Sequence, residues 1–412
     1  MQGKSTIILI LLAAINFTHI LDFMIMMPLG NYLMPFFKIH PAQFTYLVAA
    51  YTISAGISGF LAAFFVDNYD RKKVLLFGYI GFLLGTLACG LAPTYHFLLG
   101  ARLLAGTFGG LIGAQVLSII SDMFTYEHRG KAMGSVMSAF AIASTLGVPF
   151  SLYLANLFSW HAPFLMVVLI GAVTVPFIFR YIPTLNKHII PGTEQPSLKQ
   201  RWTIMQNVLT SPTQRLALVF SGMIMLGHFL VIPFINPFLE FNKGFSKAQT
   251  PMVYLAGGIA SFFAANVLGK LADKRGKLKV FTICVLLSLP LVVLLTNLPD
   301  MHFALVLVIF AFWFVLSTGR GVAAQALVSN VIPPATRGSF MSFNSSIQQL
   351  GTSLASLLAG VIVVERGNGQ IANYPWIGAV SVVVLVGCVI IGNRIFRSVD
   401  VKASSQVASA VS

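Results

Sequence analysis

Apolar runs of about 20 residues or more, the length a helix needs to cross the hydrocarbon core of a bilayer, recur along nearly the whole chain. Such runs leave little choice of fold. No water is available in hydrocarbon to bond the peptide groups, so a spanning segment is a helix or part of a closed barrel. Barrel strands alternate apolar and polar residues, and these runs do not. The expected class is therefore an all-α, polytopic membrane protein. Composition agrees, with 57% hydrophobic and 9% charged residues against about 25% charged in a soluble domain.

Twelve spans are expected: 6–36, 43–66, 73–93, 95–124, 131–157, 162–182, 214–241, 247–272, 278–298, 301–331, 338–364 and 373–396. They fall into two six-helix bundles, 1–182 and 214–397, joined by a hydrophilic linker, 183–213. The linker is rich in Pro, Gly and Lys and has room for a short amphipathic helix around 198–209. Residues 398–412, rich in Ser, Val and Ala, are expected to form a disordered cytoplasmic tail. The first run has no small-residue cleavage site after it and reads as an uncleaved helix.

Charge sets the expected orientation. Of 26 Lys and Arg, twenty fall on the side that twelve spans give to both termini. Four lie on the other side (Lys38, Lys243, Lys247 and Arg366), and Arg102 and Arg320 lie inside helices. Cytoplasmic loops carry the basic excess, so both termini and the linker are expected in the cytoplasm. The net charge of +15 follows from topology and anionic lipid. Its scatter over short loops speaks against nucleic acid as a partner.

The chain also repeats itself. Ala55, Gly59, Ala63 and Asp67 recur as Ser261, Ala265, Gly269 and Asp273, each 206 residues later. GAQVLS (113–118) parallels AAQALVS (323–329), and HRGKAMGS (128–135) parallels TRGSFMS (336–342). Two six-helix copies of one orientation imply a pseudo-two-fold axis along the membrane normal, with a site near the midplane.

These residues carry a resemblance. GKLADKRGKLKV places Gly269, Asp273, Lys274, Gly276 and Lys277 on the loop motif of the major facilitator superfamily. The first-half copy fits at Asp67, Arg71 and Lys72, with Ala63 and Asp70 where glycines are usual. RLLAGTFGG is similar to the family's R-x-x-x-G element at Arg102 and Gly106. LGVPFS resembles the antiporter motif at Gly147 and Pro149, with Ser151 in place of a glycine. Together they resemble the twelve-helix drug/H+ antiporter branch, near the arabinose-efflux-like permeases. The resemblance implies a bacterial inner-membrane transporter, functional as a monomer. It also implies a cytoplasmic gate of Asp67, Arg71, Asp273, Lys274, Arg129 and Arg337, in which Asp67 meets Arg337 and Asp273 meets Arg129.

Within the expected hydrocarbon lie Asp22, Arg102 and Arg320, joined by His19 and His228. A charge there costs roughly 2.5–3.5 kcal/mol on insertion scales, so such residues are usually functional. At 1.5 Å per residue, Asp22 is about 24 Å from the cytoplasmic end of its helix. Arg102 stands at a similar height, within pairing reach. Asn16, His19, Asp22 and Met26 share one helical face. His228 follows Asp22 by 206 residues, and the axis would set it across the cavity. Plainer roles stand beside these: Arg102 as an anchor, the histidines as packing groups, Arg320 snorkelling to the surface. Asp22 has no stem with which to snorkel. Burial raises a carboxyl pKa and a nearby arginine lowers it, so Asp22, Arg102 and His19 are the expected proton-coupling group.

Gln115, Gln325, Asn344 and Gln348 need polar partners in a membrane interior. With Asn16, Met26, His228 and Arg320 they make a mixed cavity suited to a small amphipathic molecule, drug-like or sugar-like. Two stripes of small residues, Ala139, Ala143, Gly147, Ser151 and Gly257, Ser261, Ala265, Gly269, are expected as sliding contacts between halves. The expected function is proton-coupled efflux by rocker-switch alternating access, with a small-molecule substrate, protons and the bilayer as partners. The alternatives are a facilitator without proton coupling and a lipid or lysolipid flippase. No nucleophile–base pair, nucleotide loop or metal spacing is found, and Cys89, Cys284 and Cys388 stand at unrelated spacings. Enzyme chemistry, cofactors and a metal are therefore not expected.

Overall fold

The computed structural model describes all residues except 1, 63, 125, 187–201, 204–205, 207–208, 331–336, 367–368 and 412. The side chains of 2–4, 67, 126–131, 330, 337–339 and 398–411 also lie outside the description. Most of the expected linker, including its amphipathic segment, falls outside the described residues. Two compact units make up the chain, Met1–Arg201 and Trp202–Ser412.

The first unit contains α1 (Gln2–Met26), α2 (Gly30–Phe37), α3 (Pro41–Ala62), α4 (Arg71–Gly90) and α5 (Tyr95–Met123). It continues with α6 (Tyr126–Ile142), α7 (Val148–Leu157) and α8 (Ala162–Tyr181). The second contains α9 (Pro212–Phe229), α10 (Thr250–Arg275), α11 (Lys277–Thr296), α12 (Phe303–Asn330), α13 (Arg337–Ile362) and α14 (Tyr374–Val411). A two-residue hairpin, β1 (Val364–Glu365) against β2 (Ile371–Ala372), joins α13 to α14. Among the described residues, eleven helical segments are long and apolar enough to cross a membrane. The twelfth is α13, which has 26 residues but carries Asn344, Gln348, Gln349, Thr352, Ser353 and Ser356. The backbone of α14 stays helical to Val411, through the segment expected as a tail.

Among the described residues, three spans expected to be continuous are interrupted, each at proline. A proline lacks the N–H that would bond four residues back, and its ring crowds that carbonyl. The first span stops at Met26, turns through Pro28 and restarts as α2. The seventh stops at Phe229, and Pro233 and Pro237 divide the rest into a 3-10 turn (Ile232–Phe234) and a π turn (Phe238–Asn242). In the fifth, a π turn at Ala143–Gly147 separates α6 from α7. Pro149, just beyond, leaves the Thr145 carbonyl without its α-helical donor, and the wider turn absorbs the mismatch.

Small residues set how near the helices come. Gly106 and Gly110 press α5 onto α3: a Cβ on Gly106 would overlap Ser54 Oγ and the Tyr51 carbonyl, and one on Gly110 the Ala55 carbonyl. The stripe on α6 and α7 faces α1 within its own unit. Ala139, Ala143 and Ser151 are buried, and Gly147 abuts Leu21. On α10, Gly257 receives the ring of Phe314 from α12. Gly147 and Gly257 thus each seat a bulky neighbour of their own bundle.

The basic end of α4 is tied to its own unit. Asp70 caps the helix, accepting from the N–H of Lys72 at 2.7 Å and Lys73 at 3.4 Å. Its other oxygen accepts from the Leu185 N–H at 3.2 Å, beyond α8. The substitution of Asp70 for a motif glycine is thus a helix cap.

Gly106→Ala should lower the unfolding midpoint of the detergent-solubilised protein by the equivalent of about 1–3 kcal/mol, the cost of overpacking. Gly113→Ala, on the same helix with nothing within 4 Å of the added carbon, is the control expected to leave it unchanged. Equal midpoints for the two variants would refute the close approach.

Candidate functional site

In the first unit, α1 and α5 bring together side chains 80 residues apart. Arg102 Nη1 donates to Asp22 Oδ2 at 2.8 Å, and neither side chain is exposed. The guanidinium also lies over the ring of Tyr51 on α3, 4.4 Å from its centroid, a cation–π contact. Gly106, one turn along α5, allows this approach. The pair has spare capacity: Asp22 Oδ1 and Arg102 Nε and Nη2 are buried without a hydrogen-bond partner among the described residues. A carboxylate held through one oxygen can take a proton on the other while its neighbour stays in place.

The other expected residues of this unit are close but differently engaged. His19 sits one turn from Asp22, with ring centroids 6.3 Å from Tyr51 and 5.7 Å from Phe82. Both its nitrogens are buried without a partner among the described residues, so it forms no hydrogen-bonded relay to Asp22. Asn16 donates to the Val136 carbonyl on α6 at 3.2 Å. Met26 is fully buried, and Gln115 is buried with Oε1 unpartnered among the described residues.

In the second unit, Arg320 on α12 is 1% exposed, which removes the snorkelling alternative. Its Nη1 donates to Ser288 Oγ on α11 at 3.1 Å, and its Nη2 lies 3.0 Å from His228 Nδ1 on α9. A guanidinium has only donors, so Nδ1 accepts. The imidazole then carries its proton on Nε2 and contributes no charge. Gln348 donates to Gln325 at 3.5 Å, and Asn344 is buried with Oδ1 unpartnered among the described residues. Gln325, Gln348, Ser221, Ile224, Met225, Gly321 and Ala324 line a cavity of about 20 Å³.

The expected cavity residues thus form two groups, one in each unit. Sequence reasoning missed several members. Tyr51 and Ser288 carried no distinguishing signal. Trp313, wholly buried, could have been found from its i, i+4, i+7 spacing with Ser317 and Arg320. Glu240 was also missed; it is 8% exposed in the π turn and accepts from Thr250 Oγ1 at 2.8 Å. Among gate residues, Arg71 pairs with Asp122 of its own unit. Asp273 is exposed, with Lys277 at 3.9 Å, and Lys274 is exposed. The side chains of Asp67, Arg129 and Arg337 lie outside the described residues.

A helical membrane protein of two repeated units, with buried polar groups inside each, is the architecture of a secondary transporter. The Major Facilitator Superfamily model matches residues 12–355 and 223–410, and the chain belongs to that family of transporters. It is 22% identical over 343 residues to the uncharacterised MFS-type transporter YceJ of Bacillus subtilis (strain 168), covering 83% of this chain and 85% of that protein. It is 25% identical over 366 residues to Multidrug resistance protein 2 of the same organism, covering 87% and 89%. Among solved structures, a bacterial homologue of the human lysosomal transporter Spinster, in an inward-facing and unoccupied conformation, aligns with a TM-score of 0.73. That alignment is 16% identical and covers 98% of this chain and 99% of the other. The nucleoside transporter NupG (D323A mutant) aligns with a TM-score of 0.72 and 14% identity, covering 94% and 100%. The fold is that of the superfamily, with twelve transmembrane helices in two six-helix bundles.

Removing one partner of a buried ion pair leaves the other uncompensated, at a cost of about 3–5 kcal/mol. Arg102→Leu should therefore destabilise the purified protein strongly. The double variant Asp22→Asn/Arg102→Gln, which strands no charge, should recover much of the loss. Thermal unfolding in detergent checks this, and a double variant no more stable than the single would contradict the pairing.

Proposed function

We propose that the chain is a proton-coupled antiporter of the bacterial inner membrane, exporting small amphipathic molecules by rocker-switch alternating access. Residues 1–182 and 214–397 act as the moving halves of a functional monomer. The observation that carries this reading is the Asp22–Arg102 pair, buried in the first unit, with the second carboxylate oxygen of Asp22 left without a partner among the described residues. With Asp22 ionised the two charges cancel. Protonation leaves the guanidinium uncompensated in a low-dielectric interior, which favours a rearrangement that hydrates or re-pairs it. Substrate entering from the cytoplasm favours the ionised form, and a proton from outside displaces it. The basic bias of the loops supports cytoplasmic termini. The multidrug resistance relative supports export as the direction, and the buried amides with Met26 support an amphipathic cargo.

Asp22→Asn holds the neutral form permanently. In proteoliposomes it should abolish accumulation driven by a pH gradient while substrate exchange, which needs no net proton movement, persists. His19→Ala should be milder. An Asp22→Asn variant that still accumulates substrate with an undiminished response to the gradient would replace this reading with the facilitator.

The cytoplasmic gate belongs to the same proposal. Asp273→Asn should reduce transport while membrane insertion is retained, and it should change cysteine accessibility at the cytoplasmic entrance. Unchanged transport and accessibility would remove Asp273 from the gate.

A further inference from the structure

We infer that the Arg320 cluster recognises a single negative charge, so that the exported molecules are amphipathic monoanions of the carboxylate type. This rests on the export reading above and gives it a substrate class.

The argument begins with charge. Arg102 and Arg320 occupy matching helices of the two repeats, α5 and α12, and both are fully buried. Arg102 has a carboxylate at 2.8 Å. Arg320 has a neutral imidazole and a hydroxyl, and no carboxylate pairs with it among the described residues. A buried cation held only by neutral acceptors is costly, and an arriving anion would relieve that cost. A cationic molecule would meet repulsion in the same low dielectric.

The surroundings are short of acceptors and rich in donors. Trp313 is fully buried with its Nε1–H, a donor only, unpartnered among the described residues. Ser317 Oγ, between Trp313 and Arg320 on the same face of α12, is buried and likewise unpartnered. Trp313 and Arg320 converge on one group, because the Trp313 ring lies 5.3 Å from the His228 ring that bonds Arg320. A carboxylate has two oxygens to accept from such a set.

A cavity of about 20 Å³ lies beside the cluster. The cavity lined by Ser221, Ile224, Met225, Gly321, Ala324 and Gln325 lies within about one turn of His228 along α9 and of Arg320 along α12. Ile224 and Met225 give that cavity an apolar wall, so the anion it suits carries an apolar body beside its charge.

The test uses three probes that share one ring system: 2-naphthoate, 2-naphthamide and 2-naphthylmethylammonium. Binding to the full chain in neutral-lipid nanodiscs is measured at constant pH, without a gradient. Naphthoate should bind most tightly. Trp313→Phe, which keeps the ring and removes the N–H, should weaken naphthoate roughly tenfold and leave naphthamide unaffected. Arg320→Gln should weaken naphthoate roughly ten- to hundredfold, and Arg320→Lys should also lose affinity, lacking the planar fork. Should the Arg320 variants not fold, Trp313→Phe and Ser317→Ala carry the test. Equal binding of the three probes, a preference for the cation, or an anion preference untouched by these substitutions overturns the proposal. Equilibrium binding tests Arg320, and gradient-driven accumulation in Asp22→Asn tests coupling, so either reading can fail while the other stands.

Discussion

Hydrocarbon offers peptide groups no hydrogen-bond partners, and the architecture follows from that scarcity. Backbone in such a medium must bond to itself, which makes every span a helix. The departures are local and have a chemical cause. Pro28, Pro149, Pro233 and Pro237 each remove a donor, and beside them stand a turn, a 3-10 turn and two π turns. The π turn at Ala143–Gly147 packs against Leu21, next to Asp22. The irregular backbone of the fifth span thus borders the residue proposed to take the proton.

The same scarcity governs side chains. A buried charge needs a partner, and the two arginines meet this need in different ways. Arg102 takes a carboxylate and the face of Tyr51. Arg320 takes His228 and Ser288, neither of which cancels its charge. The two arginines stand at different positions of matching helices, and the two halves use them differently. A pair that cancels internally is disturbed by a proton, whereas a cation left uncancelled is disturbed by an anion. Coupling and recognition can then reside in separate bundles of one transporter.

Close approach makes both arrangements possible. Gly106 lets α5 reach α3, so that Arg102 covers Tyr51. Gly257 admits Phe314, which holds α12 against α10. At the end of the first unit, Asp70 binds both the start of α4 and the chain beyond α8. The loop that resembles a family motif is in this respect a fastening of its own bundle.

Helix number, the repeat and the intramembrane charges other than Glu240 were legible in the sequence, because hydropathy and the 3.6-residue period are local properties. So was the family, through Arg102, Gly106, Gly147, Pro149 and Asp273. The proline breaks were equally local but were submerged in continuous apolar runs. Partnership was not legible. That Asp22 bonds Arg102 while His19 only packs against Tyr51 and Phe82 depends on how α1 and α5 are rotated about their axes. The small-residue stripes show the same limit, since spacing specifies a face but not the helix that covers it. Sequence by itself determined which groups must be buried in a medium that punishes isolated charge. Only the tertiary structure decided which of them relieve one another, because that depends on angles and offsets between helices far apart in the chain.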